Sequence, residues 1–242
     1  MELVVLFGVG LAVYLVASAV QAVVGFGLTL VAVPILIPVA GAVPAVVSSV
    51  LVSLALCGRI WWQERAHVDD RLTRRLSIPA FFGLPCGAAL LLVLSERSLA
   101  ILVAGAMLLG VIAIVVLDRP RLGAGGQWAG GFVSGTLLTS TGLNGPALVL
   151  TVQSTDLDPR QQRATLQAVF VVQDVVALGL FIVLGQISQA ALVIGLAGAL
   201  GAPLGWAVGD RVFARLNPAR FRRAVQATLA ISAIGSIYSA TK

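Results

Sequence analysis

One carboxylate stands out because it lies inside an apolar stretch, where a charge is expensive. Asp174 is near the centre of the apolar run 164–184, and it is the only charged side chain deep in any such run. A charge at the centre of a bilayer costs at least ~2.5–3.5 kcal/mol on insertion scales, so it needs a partner or a function. Such a carboxyl can accept a proton on one side of a membrane and release it on the other. The alternative is a structural acid that bonds to Gln167, Gln173 or a nearby hydroxyl, or that faces water in a cavity.

Two glycine-containing breaks interrupt long apolar stretches. The stretch 3–40 is broken at residues 25–27, and the stretch 127–154 is broken at residues 141–146. Glycine and proline interrupt helices through backbone freedom and loss of an amide donor. A helix that restarts after a break presents free amides and roughly half a positive charge, which suits an anion. The alternative is that the glycines only permit close helix packing.

Polar side chains accompany both breaks, and for that reason we favour a binding site there. Asn144 can act as an N-cap, Pro146 suits the first position of the following half-helix, and Thr29 falls in the opening turn after the first break. The candidate substrate-binding residues are the breaks and their flanks: Gln21, Gly25, Phe26, Gly27, Thr29, Thr141, Gly142, Asn144, Gly145 and Pro146.

Arg163 is a candidate entry point for anions. It shares one helix face with Gln167 and Asp174, because the three recur at spacings of four and seven. An arginine at the cytoplasmic mouth of a transport path could draw anions in. The alternative, which the position of Arg163 in a basic gap favours, is an anchor that only sets topology.

The composition identifies an integral membrane protein. Of 242 residues, 59% are hydrophobic and only 11% are charged, whereas a soluble domain averages roughly 25% charged residues. The net charge of +6 comes from basic residues in short gaps between apolar runs, so the positive-inside rule explains it and we expect no nucleic-acid partner.

Internal repetition divides the chain into two halves. Residues 83–87 match residues 201–205 as Gly-x-Pro-x-Gly at an offset of 118, and Gly25 matches Gly142 at an offset of 117. We predict one all-α polytopic transmembrane transporter domain over 1–242, with repeats of about 1–118 and 119–242. Each repeat is a broken helix or hairpin plus three transmembrane helices, about seven to eight apolar segments in all. The unbroken runs are 43–63, 76–95, 99–117, 164–184, 189–209 and 224–240.

The basic residues predict that the halves are inverted. Placing four gaps in the cytoplasm collects 14 of the 16 basic residues and leaves only Arg97 and Lys242 outside. The gap 185–190 is uncharged and therefore external, so we expect the second broken stretch to enter from the inside and return. The first should form a hairpin from the outside, and its longer arms leave open whether they cross the membrane fully or re-enter. The four cytoplasmic gaps are 58–75, 118–126, 155–163 and 210–223.

Two runs of residues resemble the signatures of a known family. Residues 21–27, followed by Val33-Pro34, and residues 131–135, followed by 141–146, are similar to the first-half and second-half signatures of the sulfite exporter TauE/SafE permeases. The resemblance covers the whole chain. It implies transport of sulfite, sulfonates or related small anions without ATP hydrolysis.

We therefore predict a multi-pass secondary transporter of a bacterial-type inner (plasma) membrane. It moves a small anion, is coupled to protons through Asp174, and has the anionic solute and the lipid bilayer as partners. The alternative is a membrane enzyme or assembly factor whose acid serves chemistry or packing. The chain has no phosphate-binding loop and no shared His/Glu cluster, so we expect no cofactor, no metal site and no ATPase activity of its own. The sequence predicts no particular oligomeric state.

Overall fold

A computed structural model shows a helical membrane protein. It describes residues 2–95 and 122–213, together with residues 97–99, 101–102, 105–106, 108–109 and 112. Within this part the chain forms helices and no strand, and a short 3-10 turn at Arg65–His67 joins α3 to α4. The helices with described bounds are α1 (Glu2–Val24), α2 (Leu28–Ala40), α3 (Ala42–Glu64), α4 (Asp70–Val93), α5 (Ala124–Thr141), α6 (Gly145–Gln153), α7 (Pro159–Val183) and α8 (Gln189–Phe213).

Five of these helices, α1, α3, α4, α7 and α8, are long and apolar enough to cross a membrane. The predicted all-α polytopic fold is therefore confirmed, and four of the six predicted unbroken runs correspond to α3, α4, α7 and α8. Most of run 99–117 and all of run 224–240 lie outside the described residues, so the predicted number of segments stays a prediction.

Both predicted breaks are present, and each forms the tip of a helical hairpin. Gly25 and Gly27 have φ of 89° and 112°, and Gly142 has φ of 75°, a left-handed region where glycine is favoured. In the first hairpin α2 folds back on α1 in a shared apolar core. In the second, α6 folds back on α5, and Gly130 of α5 lies against the side chain of Thr151 of α6.

The two Gly-x-Pro-x-Gly elements make matching helix contacts. Gly83 and Gly87 of α4 pack on α5, while Gly201 and Gly205 of α8 pack on α1. A Cβ atom at any of the four would collide with a backbone carbonyl oxygen of the neighbouring helix, so each position needs glycine for the close approach. The contacted residues are Phe132, Thr136 and Thr139 for α4, and Leu11, Leu15 and Ser18 for α8.

The turns 65–69 and 184–188 lie at opposite ends of α7. Arg160 in the first turn of α7 pairs with Glu64 at 2.8 Å, and the amide of Asp69 donates to Thr165 at 3.0 Å. The turn 184–188 follows the other end of this helix, ~37 Å away at 1.5 Å per residue.

The described arginines gather at the first of these ends. All of them except Arg97 lie within about two helical turns of the end that carries turn 65–69. This is the distribution that the positive-inside argument requires, although the orientation of the halves in a membrane stays a prediction. The arginines at this end are Arg59, Arg65, Arg71, Arg74, Arg75, Arg160, Arg163 and Arg211.

Candidate functional site

The tips of the two hairpins enclose a small cavity between α3 and α7. Its volume is ≈ 10 Å³, about the size that holds one water molecule. Five predicted site residues line it, and so do Ser53 of α3 and Phe170 of α7, which were not predicted from the sequence. The five are Gln21, Gly27, Thr29, Asn144 and Gly145.

The other five predicted residues shape this region without lining the cavity. Phe26 packs on Gly145, where an added Cβ would lie 2.8 Å from the ring. An added Cβ on Gly142 would lie 3.0 Å from Val33, which leaves no room for a side chain between the two hairpins. The remaining three have other surroundings: Gly25 lies against Arg163, Thr141 donates to the carbonyl of Leu137 at 2.7 Å, and Pro146 is the second residue of α6.

Side chains close the first break by bonding to its backbone. The side-chain oxygen of Gln21 accepts from the amide of Leu28 at 3.1 Å, so it spans the break and caps α2. Gln167 of α7 donates to the carbonyl of Gly25 at 2.7 Å and accepts from the amide nitrogen of Gln21 at 3.2 Å. Gln21 also donates to the sulfur of Cys57 at 3.1 Å. This network fixes the first break on α7 and α3.

Within the described residues, side chains alone attach the second break to α7. Asn144 occupies the N-cap position of α6, but its side chain makes no capping bond. It donates to Gln173 at 3.0 Å, and Gln173 donates to the hydroxyl of Ser134 at 2.8 Å. The predicted N-cap position of Asn144 is therefore confirmed, whereas the capping hydrogen bond from its side chain is absent. Pro146 also lies one position later than predicted.

Both restarting helices leave amides without acceptors. Within the described part of the chain, the amides of Thr29 and Leu30 in α2, and of Gly145 and Ala147 in α6, donate no hydrogen bond. The Thr29 hydroxyl has no hydrogen bond among these residues either. Two helix N-termini with unused donors thus meet at one cavity, an arrangement suited to binding an anion.

Asp174 is completely buried beside the cavity. Neither carboxylate oxygen has a hydrogen bond of standard geometry within the described residues. Two side chains of α3 interact with it: Ser53 approaches the carboxyl, and Cys57 interacts with it electrostatically. Gln167 and Gln173, the alternative partners predicted for a structural acid, bond to the two breaks instead.

Arg163 is buried at the end of the molecule that carries the arginines, with 7% of its surface exposed. Its guanidinium pairs with Asp210 at 2.9 Å, donates to the carbonyl of Ala22 at 3.1 Å and lies 5.2 Å from the ring centre of Trp206. Through these contacts the start of α7 is joined to the end of α1 and to α8. The role of Arg163 as an anion entry point stays a prediction.

The two cavity residues missed from the sequence follow the internal repeat. Ser53 and Phe170 are 117 residues apart, the same offset as Gly25 and Gly142. Cys57 and Asp174 share this offset and are neighbours in the structure. The signal was Asp174: the repeat relates it to Cys57, and Phe170 and Ser53 lie four residues earlier, on the same face of each helix.

The comparisons with known proteins are consistent with this architecture. The family model described as sulfite exporter TauE/SafE matches residues 10–236, which include both helix breaks and all of the cavity residues. Neither the curated proteins nor the solved structures include a match to the chain. Because the matched region is nearly the whole sequence, the chain belongs to the sulfite exporter TauE/SafE family of membrane transporters.

Proposed function

We propose that the chain is a proton-coupled secondary transporter that moves a small oxyanion, such as sulfite or a sulfonate, across a bacterial inner membrane. The observation that carries the proposal is the cavity at the hairpin tips, where two helix N-termini leave amides unpaired. Inverted repeats with discontinuous helices that meet near the midplane are the architecture of many secondary transporters.

The lining of the cavity suits a small oxyanion. Thr29, Asn144 and Ser53 supply polar side chains, and no acidic side chain is among the lining residues. Phe170 offers an apolar surface on the remaining side. Partial charges at helix ends and neutral donors bind an anion without the strong attraction of an arginine, and release is then faster, as a transporter requires.

Transport requires the hairpins to separate. Sulfite has four heavy atoms, whereas the cavity has room for about one water molecule. We therefore interpret this conformation as closed around the site. Movement of the second hairpin relative to the first would enlarge the cavity, because the two tips form its opposite walls.

Asp174 is the proposed coupling residue. It is fully buried and has no hydrogen bond of standard geometry within the described residues, and a charge in such surroundings is costly unless it is protonated or paired. A group that is stable only when protonated can carry a proton through the closed state and release it when the cavity opens to water. Its position next to Ser53 puts this event beside the anion site.

The test is counterflow of labelled sulfite in proteoliposomes, with Thr29→Val as the variant and Thr141→Val as its matched control. Thr29 faces the cavity, whereas the Thr141 hydroxyl bonds to its own helix. Losing one donor should weaken sulfite affinity about five-fold in Thr29→Val and leave Thr141→Val near wild type. Absence of counterflow with sulfite, sulfonates, sulfate and carboxylates would favour a membrane enzyme or assembly factor instead.

A further inference from the structure

Ser53 connects the cavity to the buried acid. Its side chain lines the cavity and also approaches the carboxyl of Asp174. Its hydroxyl oxygen lies 3.6 Å from the sulfur of Cys57. One small side chain therefore separates the proposed anion site from the proposed proton site.

Within the part of the chain that the structure describes, the surroundings of Asp174 offer no opposite charge that would weaken an interaction between the two sites. The described parts of α5 and α6 contain no titratable residue, and on α3 the titratable neighbour is the neutral thiol Cys57. The remaining charges of α3 and α4 lie at the end that carries turn 65–69, and Cys86 of α4 is exposed. Arg163 is eleven residues away along α7, ~16 Å at 1.5 Å per residue.

We infer that the anion and one proton occupy the protein together and are carried in the same direction. The inference rests on the proposed function, and it follows from the placement of the two sites. An ionised Asp174 would repel an anion on the other side of Ser53, and in a site removed from water this repulsion is only weakly screened. Protonation of Asp174 removes the repulsion, so the proton favours the anion, and by reciprocity the anion favours the proton.

This linkage determines the sign of the coupling. In an exchange of an anion for a proton, binding of either one would have to displace the other. Here a proton on Asp174 removes a negative charge beside the anion site, so each favours binding of the other. Cotransport of a monovalent anion with one proton moves no net charge. An inward proton gradient therefore drives accumulation of the anion, and net export occurs when the outward anion gradient exceeds it.

The experiment measures binding of methanesulfonate, which remains a monoanion across the range, to the purified full chain at about pH 5.5 and about pH 8.5. We expect the affinity of the wild type to fall by about ten-fold or more at the higher pH. Asp174→Asn should bind with one affinity at both values, close to that of the wild type at low pH. Asp156→Asn, which neutralises an exposed carboxylate in the turn before α7, is the matched control and should keep the pH dependence.

Proton uptake by the wild type on binding provides a second measurement that needs no variant, and it decides the question even when Asp174→Asn fails to fold. Binding without proton uptake and with equal affinity at both pH values would overturn the inference while leaving the anion site intact. A pH dependence retained in Asp174→Asn would also overturn it. No binding of methanesulfonate or sulfite at any pH would instead refute the proposed anion site, and the coupling with it.

Discussion

The two helix breaks meet at one cavity but are held in different ways. The first break is bonded through its backbone: Gln167 donates to the carbonyl of Gly25, and Gln21 accepts from the amide of Leu28. Among the described residues, the second break is bonded to α7 only through side chains, in the chain from Asn144 to Gln173 and on to Ser134. Both attachments are made by α7, at positions six residues and ~9 Å apart.

The difference assigns different parts to the two hairpins. A backbone carbonyl that loses its buried donor cannot find another without moving the chain, so the first tip is a fixed wall of the cavity. A side-chain amide such as that of Asn144 can rotate and exchange partners, so the second tip can shift while its helices stay intact. We expect the second hairpin to be the one that moves during transport.

The largest expected effect concerns the orientation of the two halves and is all-or-none. In a background without Cys57 and Cys86, single cysteines replace Ala66 in the turn 65–69 and Gln189 at the start of α8. The inverted arrangement predicts that a membrane-impermeant maleimide labels them from opposite sides, because they lie at opposite ends of α7. Labelling of both cysteines from one side would rule out the inverted arrangement of the two halves.

Gln167→Leu tests the fixed character of the first break. It removes the donor to the Gly25 carbonyl and a partner of Gln21, leaving buried polar groups unsatisfied. We expect the free energy of unfolding in detergent to fall by about 2–3 kcal/mol and transport to be lost. Denaturant titration followed by circular dichroism measures the first effect and sulfite counterflow the second. Wild-type stability would show that the Gln167 bonds do not hold this break.

Gln173→Leu is the equivalent change at the second break, and its effect should be smaller. Asn144 loses its acceptor, but Ser134 still donates to the carbonyl of Gly131 at 2.8 Å. We expect a loss of about 1 kcal/mol by the same titration, with the folded protein still able to catalyse counterflow. A loss equal to that of Gln167→Leu would mean that the two breaks are equally fixed, and the comparison would fail.

The sequence predicted the positions of the breaks but not their attachments. Gly25, Gly27 and Gly142 lie at chain reversals inside apolar stretches. These reversals can be recognised in the sequence, because few residues other than glycine adopt such backbone angles. The N-cap position of Asn144 could be predicted from local spacing, whereas the bond from its side chain to Gln173, 29 residues away in the chain, could not. Partners so distant in the chain depend on how α7 packs, and local patterns carry no information about that packing.

The smallest expected effect concerns Ser134, the last residue in the hydrogen bonds that run from Asn144 through Gln173. Ser134→Ala removes an acceptor of Gln173 and should lower stability by about 0.6 kcal/mol, the average for a hydrogen bond between membrane helices. Combining it with Gln173→Leu gives a double-mutant cycle. If the bond contributes, the double variant should be less destabilised than the sum of the two single variants by about the same 0.6 kcal/mol, because the bond can be lost only once. Strictly additive effects would show that Ser134 and Gln173 are neighbours without energetic coupling. The second tip would then be held on α7 by the bond between Asn144 and Gln173 alone. It would differ from the first tip even more than we propose.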